Sequence, residues 1–213
     1  MEDRGTKLAF FDLDGTLVDI SDRWYRLHVD IASRHKLTPL VRETYLHMKK
    51  EAVPEQEILA NITNDTEVIE AYCEERINKI ETDEYLAHDY VFPEAENVLD
   101  AWSREHRLIL LTKRHRQDAL ANELRTLGIS TYFSQVIAGK DKAALLREAF
   151  SNDDLQGAFL ISDALEDYML AREEGMNPIV VGYGLRSPEY LTRHGIARVI
   201  LSSEDLAKLA IDS

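Results

Sequence analysis

The sequence predicts an α/β protein in which a doubly wound parallel sheet is interrupted, after its first strand, by a block of helices. After Pro93, short apolar runs alternate with helices of roughly ten to fifteen residues, the pattern of a parallel sheet covered by helices. Between Ser21 and about Asp89 the chain has no glycine, and apolar residues recur at helical spacing. At 213 residues the chain is long enough for one α/β domain with a smaller insert.

The first predicted strand is the apolar, aromatic run from Lys7 to Phe11. It leads into Asp12-Leu13-Asp14-Gly15-Thr16, two carboxylates followed by a glycine turn. Successive residues of a strand point to opposite faces, and a bend at Gly15 would break this alternation so that both carboxylates can reach one site. Acids at the end of a buried strand are costly unless a cation or a proton compensates them. The stretch therefore predicts a reaction centre assisted by Mg²⁺.

The block that follows is predicted to be entirely helical. Helices are expected to begin at Ser21, to run from Val41 to Ala52 and from Glu55 to Asn61, and to begin again at a cap formed by Asp65 or Thr66. We expect a small helical domain over residues 19–90, and an α/β core formed by residues 1–18 and 91–213.

Five further strands are predicted in the second part of the chain. They are Arg107 to Leu111, Phe133 to Ala138, Ala158 to Ile161, Pro178 to Val181 and Ala197 to Leu201. The helices between and around them are Glu94 to His106, Gln117 to Leu127, Gly139 to Phe150, Ala164 to Glu174, a short one ending near Gly195, and a last one that begins at Ser202. Such alternation implies parallel strands joined by helical crossovers.

Composition narrows the possible partners. The chain has 25 Lys and Arg against 39 Asp and Glu, a formal charge of −14, which argues against a nucleic-acid or anionic-membrane surface. A small anionic substrate remains compatible with a locally positive site.

Cys73 is the single cysteine, so an intramolecular disulfide is excluded and a reducing compartment is expected. The amino-terminal MEDRGTK lacks the pattern of a secretory signal, and we expect a cytoplasmic protein, either a monomer or a homodimer.

Polar side chains follow the predicted strands at the points where the strands end. Asp12 and Asp14 follow the first strand and Thr112 follows the second. Two lysines, Lys140 and Lys142, lie in the turn after the third strand. After the fourth strand come Asp163 and, one helical turn later, Asp167. Because the carboxyl ends of parallel strands share one edge of the sheet, these residues are expected to meet there.

Together these residues suit phosphoryl transfer. Asp12 would act as a nucleophile that forms an aspartyl-phosphate, and Asp14 as the general acid/base. Carboxylates such as Asp163 and Asp167 offer the hard oxygen ligands that Mg²⁺ prefers. The hydroxyl of Thr112 and a lysine ammonium would neutralise the phosphoryl oxygens.

With these motifs in place, the chain resembles the haloacid dehalogenase superfamily of phosphatases, in particular its phosphoglycolate-phosphatase-like and β-phosphoglucomutase-like members. The resemblance implies a Rossmann-like core, a helical cap domain inserted after the first motif, and Mg²⁺ held by Asp12, the main-chain carbonyl of Asp14, Asp163 and Asp167. The third motif is matched by Lys140 or Lys142. Lys140 is favoured because it lies at the end of the turn, whereas Lys142 would lie inside the first helical turn. The family more often has glycine where Ser162 stands, and many relatives carry Asn or Ser after the threonine, where this chain has Lys113-Arg114.

The function expected from these observations is a Mg²⁺-dependent phosphatase that acts on a small phosphorylated metabolite. A sugar phosphomutase of the same family would use the same core residues, and a signalling receiver domain phosphorylated on Asp also combines clustered acids, a hydroxyl and a lysine. A dehalogenase fits less well, since a halide leaving group needs no proton from Asp14. For Lys113, Arg114 and Arg23 the sequence leaves both substrate contact and exposed surface open. Trp24 suits either the core of the helical domain or a platform for substrate.

Overall fold

The computed structural model describes residues 7–212, with side chains as far as Ala210. Residues 1–6, on which the expected absence of a secretory signal rests, lie outside the described residues. No helix within residues 7–212 is long and apolar enough to cross a membrane.

Six parallel strands form the central sheet, in the order β5-β4-β1-β6-β7-β8. They are β1 (Lys7–Phe11), β4 (His106–Thr112), β5 (Gln135–Ala138), β6 (Phe159–Ser162), β7 (Asn177–Val181) and β8 (Val199–Ile200). The first strand lies in the middle, where Phe11 pairs with Leu110 on one side and with Ile161 on the other. From β1 the chain adds β4 and β5 on one side and then β6, β7 and β8 on the other. The predicted doubly wound parallel sheet is therefore confirmed.

Helices cover both faces of this sheet. They are α6 (Ala95–Ser103), α7 (Gln117–Thr126), α8 (Lys142–Ala149), α9 (Asn152–Leu155), α10 (Leu165–Glu173), α11 (Pro188–Arg193) and α12 (Ser203–Asp212), with a 3-10 turn at Ser130–Tyr132. Successive side chains of a strand point to opposite faces of the sheet, so the apolar core has one part on each face. Phe11 packs with Trp102 and Leu206 on one face, whereas Phe10 packs with Leu146 and Leu170 on the other.

The block between β1 and β4, called the helical insert below, contains α1 (Ser21–Arg34), α2 (Arg42–Lys50), α3 (Glu55–Leu59), α4 (Thr66–Lys79) and α5 (Asp83–Leu86). It has a buried apolar cluster of its own, in which Leu27 and Ile31 of α1 pack with Leu59, Tyr72 and Tyr85. The chain enters and leaves the insert through a two-stranded antiparallel pair, β2 (Val18–Asp19) and β3 (Tyr90–Val91). The sequence did not predict this pair, because two-residue strands carry no periodic signal.

Candidate active site

The polar residues predicted to converge lie at the carboxyl edge of the central sheet. Asp12 follows β1 directly, and its N–H donates to the carbonyl of Ile161 in β6 at 2.9 Å. Thr112 ends β4, and Asp163 follows β6. Because β4, β1 and β6 are neighbours in the sheet, their ends place these three residues side by side.

Lys142 joins Asp12 to Asp167. Its Nζ lies 2.8 Å from Oδ1 of Asp12 and 2.6 Å from Oδ2 of Asp167, and the side chain is 5% exposed. Burial alone would favour the neutral amine, but the two carboxylates outweigh it and raise the pKa of Lys142 above its usual value. The residue is therefore an ammonium ion held against the carboxylate of Asp12.

Lys140 was favoured from the sequence as the lysine of the third motif, but the geometry does not support this choice. Lys140 is exposed, and Lys142 makes the contacts at the site. The reason is where the helix begins. Asp141 caps α8 by accepting from the N–H of Ala144 at 3.0 Å, so Lys142 is the first helical residue. Helical side chains lean toward the amino terminus of the helix, which directs Lys142 back to the edge of the sheet.

Asp167 faces this lysine from the first turn of α10. Its Oδ2 also accepts from the hydroxyl of Ser162 at 2.7 Å. Ser162, where the family more often has glycine, thus adds a hydrogen bond that orients Asp167. The expected role of Asp167 as a metal ligand stays a prediction.

Asp163 is held by the turn that follows Asp14 and by the loop that follows β7. Its N–H donates to the hydroxyl of Thr16 at 3.2 Å, and its Oδ2 accepts from the N–H of Leu185 at 2.7 Å. Gly184 lies so close to this turn that a Cβ would stand 1.8 Å from the carbonyl oxygen of Gly15. This loop was not predicted from the sequence to lie at the site, although glycine at the end of a strand is a usable signal of close backbone approach.

The buried acids carry more negative charge than Lys142 neutralises. Burial, opposed by Lys142 and reinforced by Asp167, raises the pKa of Asp12 to about 6. Burial together with Asp12 raises the pKa of Asp163 to about 7. A site with these properties favours an added proton or an added cation.

Asp14 lies beside this group and has different partners. Arg114 donates to both of its oxygens, from Nε to Oδ2 at 2.8 Å and from Nη2 to Oδ1 at 2.7 Å. Arg23 adds a third donor, Nη2, 3.2 Å from Oδ1. Although burial acts in the opposite direction, the guanidiniums of Arg114 and Arg23 lower the pKa of Asp14 to about 2. Both arginines, which the sequence left open between substrate contact and surface, are buried side chains directed at Asp14.

The remaining candidate site residues are Thr112, Lys113 and Trp24. Thr112 is buried, and its hydroxyl accepts weakly from the N–H of Arg114 at 3.4 Å, so its contact with a phosphoryl group stays a prediction. Lys113 is exposed. Trp24 packs half-buried against the core beside β2, with Nζ of Lys49 4.7 Å above its ring.

A divalent cation is compatible with this set of donors. Among residues 7–212, no three His, Cys, Asp or Glu side chains are gathered as a preformed metal cluster. Mg²⁺ in phosphoryl-transfer sites needs only one or two carboxylates, with water and substrate phosphate completing its shell. The carboxylates of Asp12 and Asp163, whose pKa values are raised by burial and by neighbouring acids, suit that requirement.

Comparisons with known proteins agree with the architecture. A family model described as haloacid dehalogenase-like hydrolase matches residues 9–181. A search of curated protein sequences finds no significant match. A solved structure of a haloacid dehalogenase-like hydrolase from Streptococcus pneumoniae has a TM-score of 0.75 at 19% identity, covering 97% of this chain and 98% of that one.

Two further solved structures are similar over nearly their whole length. One, from Haemophilus somnus and described as a predicted phosphoglycolate phosphatase, has a TM-score of 0.72 at 17% identity and covers 95% of this chain and 97% of that one. Another, from Thermotoga maritima and described as a proposed β-phosphoglucomutase, has a TM-score of 0.65 at 18% identity and covers 97% of this chain and 99% of that one. At such low identity these likenesses show the fold alone.

Proposed function

The chain belongs to the haloacid dehalogenase-like hydrolase family, and from this premise we propose that it is a Mg²⁺-dependent phosphatase that hydrolyses a small phosphate monoester through an aspartyl-phosphate on Asp12. The observation that carries the proposal is the buried pair of Asp12 and Lys142 at the carboxyl edge of the sheet, with Nζ 2.8 Å from Oδ1. A carboxylate with an ammonium beside it, and with Asp14 two residues further along the chain, offers a nucleophile, a charge to balance the phosphoryl oxygens and an acid/base.

In the first step, an oxygen of Asp12 bonds to the phosphorus of the monoester while the bond from phosphorus to the leaving oxygen breaks. Asp14 passes the proton carried by the monoanionic ester to the leaving oxygen, which departs as an alcohol. The ammonium of Lys142 offsets the charge on the phosphoryl oxygens, and the hydroxyl of Thr112 is proposed to donate to them.

In the second step, water bonds to phosphorus and the bond between phosphorus and Asp12 breaks. Asp14 takes a proton from the water, so Asp12 returns to the carboxylate and inorganic phosphate is released. The arginines hold Asp14 ionised in the arrangement described, which is the form that this step requires.

The residues proposed to hold Mg²⁺ are Asp12, Asp163, Asp167 and the main-chain carbonyl of Asp14. When bound, the ion would supply positive charge against the buried carboxylates and the phosphoryl oxygens. The raised pKa values of Asp12 and Asp163 support this assignment independently of the family.

The helical insert is proposed to act as a cap that excludes water while the acyl-phosphate forms. Its position supports this role, because the carbonyls of Lys49 and Lys50 at the end of α2 accept from Arg186 and from the N–H of Ser187 in the core. A sugar phosphomutase would use the same core with a sugar hydroxyl in place of water. The family match gives no support to a receiver domain.

A panel of phosphorylated metabolites, assayed with and without Mg²⁺, tests the proposal. Wild-type protein should release inorganic phosphate in the presence of Mg²⁺, and Asp12→Asn should lose at least about a thousandfold in turnover while remaining folded. Asp153→Asn is the matched control, since Asp153 is an exposed acid near the opposite edge of the sheet. An isomerised sugar phosphate without free phosphate would indicate a mutase, and turnover that survives in Asp12→Asn would refute the nucleophile assignment.

A further inference from the structure

The carboxylate of Asp14 is held by arginines from two different parts of the chain. Arg114 lies in the loop after β4, and Arg23 lies in the first turn of α1 in the helical insert. Arg114 contributes the stronger contact, because its Nε and Nη2 form a fork that matches both oxygens of the carboxylate at 2.8 and 2.7 Å. Such a fork fixes the plane of the carboxyl group as well as its position.

Two further acids, Asp89 and Glu123, also contact the guanidinium of Arg114. Its Nη2 donates to Asp89 Oδ2 at 3.2 Å, and its Nη1 forms an ion pair with Glu123 Oε2 at 3.2 Å. Asp89 also lies 3.2 Å from Nε of Arg23. These side chains are all at least nine-tenths buried. Arg114 is therefore locked in one conformation by groups that take no part in the proposed reaction.

The same contacts exclude a direct role for Arg114 on substrate. The side chain of Arg114 is 4% exposed, and all three of its nitrogens already face carboxylates. Asp14, by contrast, is 26% exposed. Among the residues that the structure describes, its Oδ1 accepts from both arginines, whereas its Oδ2 accepts from Arg114 Nε alone. Oδ2 is thus the oxygen with a lone pair left to face a reacting group.

We infer that Arg114 is a positioning residue, which fixes the carboxylate of Asp14 so that Oδ2 faces the reacting oxygen. The inference rests on the proposed function, in which Asp14 transfers a proton to or from that oxygen. Arg23 supports the same carboxylate from the helical insert, so Asp14 is fully held only when α1 is docked on the core.

The test is a double-mutant cycle on Arg114 and Asp14. Removing Arg114 alone leaves Asp14, Asp89 and Glu123 with one arginine, which endangers folding. The substitutions are therefore made in a Glu123→Gln background, with Glu123→Gln itself as the matched control. Arg114→Met and the charge-retaining Arg114→Lys are each combined with Asp14 and with Asp14→Asn. Circular dichroism confirms folding, and kcat and KM are measured with p-nitrophenyl phosphate, whose leaving group needs little protonation.

With Asp14 present, Arg114→Met should lower kcat about ten- to a hundredfold and change KM less than about threefold. Arg114→Lys should show a smaller loss in kcat, because the positive charge is retained although an ammonium cannot span both oxygens. With Asp14→Asn, either substitution should cost less than about twofold more, because Arg114 acts through Asp14. If Arg114→Met fails to fold, the same comparison is made with Arg114→Lys.

Two results would overturn the inference while leaving the proposed function intact. One is an equal loss of kcat with Asp14 and with Asp14→Asn, which would make Arg114 structural only. The other is a raised KM with unchanged kcat, which would make it a substrate-binding residue. Turnover that does not depend on Asp12 would instead refute the proposed function, and the inference with it.

Discussion

Asp12 and Lys142 form the pair on which the chemistry is proposed to depend. Lys142 also lies 2.6 Å from Asp167, so a single ammonium stands between two buried carboxylates. A charge in this position serves two purposes. It compensates acids that are costly to bury alone, and it provides a counter-charge for a phosphoryl group that arrives at Asp12.

Lys142→Met should lower kcat by at least about a hundredfold, because the counter-charge for the phosphoryl oxygens is lost. Lys140→Met is the matched control and should stay within about threefold of wild type, since Lys140 is exposed. The measurement is steady-state turnover of whichever phosphate ester the panel identifies. Equal losses in the two variants would contradict the assignment of Lys142.

Gly184→Ala should destabilise the protein by about 1–3 kcal/mol and lower its activity, because a Cβ cannot fit beside the carbonyl of Gly15 without a shift of the loop. That shift would carry the N–H of Leu185 away from Asp163. Urea denaturation gives the free energy of unfolding. The control is Gly128→Ala, which also adds a methyl group but has no atom within 4 Å of the new Cβ. It has φ +76°, so it should lose stability yet keep its activity.

At the scale of elements, the helical insert is connected to the core at points close to the site. The loop after β7 not only holds Asp163 but also reaches α2, where Arg186 Nη1 donates to the carbonyl of Lys49 at 3.0 Å and the N–H of Ser187 to that of Lys50 at 3.1 Å. Carbonyls at the end of a helix have no partner within the helix, so the core loop satisfies them. One loop thus contacts both the insert and a predicted metal ligand.

Glu81 forms the second connection. It follows α4 and accepts from the N–H groups of His115 and Arg116 at 3.1 and 2.9 Å, just before α7 begins in the core. A carboxylate in this position satisfies unpaired N–H groups and interacts favourably with the helix dipole. The loop it holds is the one that carries Arg114.

Glu81→Ala should lower the free energy of unfolding by about 1–2 kcal/mol and speed amide exchange at residues 115 and 116, because two partly buried N–H donors lose their acceptor. Hydrogen exchange followed by mass spectrometry reports on that loop directly. Glu84→Ala, which removes an exposed acid from α5, should leave the exchange unchanged. Unaltered exchange in Glu81→Ala would show that the insert does not hold this loop.

The elements that the sequence predicted well are those with a strong local signal. The buried strands β1, β4 and β6 appear as apolar runs, and their polar ends fall where the sheet topology requires. The start of α8 was misplaced, because Gly139 and Asp141 are both plausible helix starts and only the capping bond of Asp141 decides between them. The arginine contacts to Asp14 could not be predicted, since Arg114 and Arg23 come from distant segments and each alone is indistinguishable from a surface residue.

At the scale of the whole molecule, pH and Mg²⁺ should affect stability together. The pKa of Asp12 rises from 3.8 to about 6 and that of Asp163 from 3.8 to about 7 on folding. The folded protein therefore binds more protons than the unfolded chain in this range, so the stability that these groups contribute is full below about pH 4 and is lost as the pH rises through 6 and 7. The formal charge of −14 acts in the same direction.

Without divalent cations, the melting temperature should therefore fall between pH 5 and pH 8, and Mg²⁺ should reduce the decline because it compensates the ionised carboxylates. Differential scanning calorimetry at a series of pH values measures both effects. Asp163→Asn should show a shallower decline and a weaker response to Mg²⁺. A melting temperature that rises over this range, or is indifferent to Mg²⁺, would contradict the expected charge balance.

Chemical trapping shows most directly whether Asp12 carries the phosphoryl group during turnover. Protein turning over substrate with Mg²⁺ is quenched rapidly and treated with borohydride, which reduces an acyl-phosphate to an alcohol. Peptide mass spectrometry should then find homoserine at position 12 in the wild type, and no such change in Asp12→Asn or without substrate. Homoserine at a different acid, or rapid phosphate release with no reduction at position 12, would contradict the account.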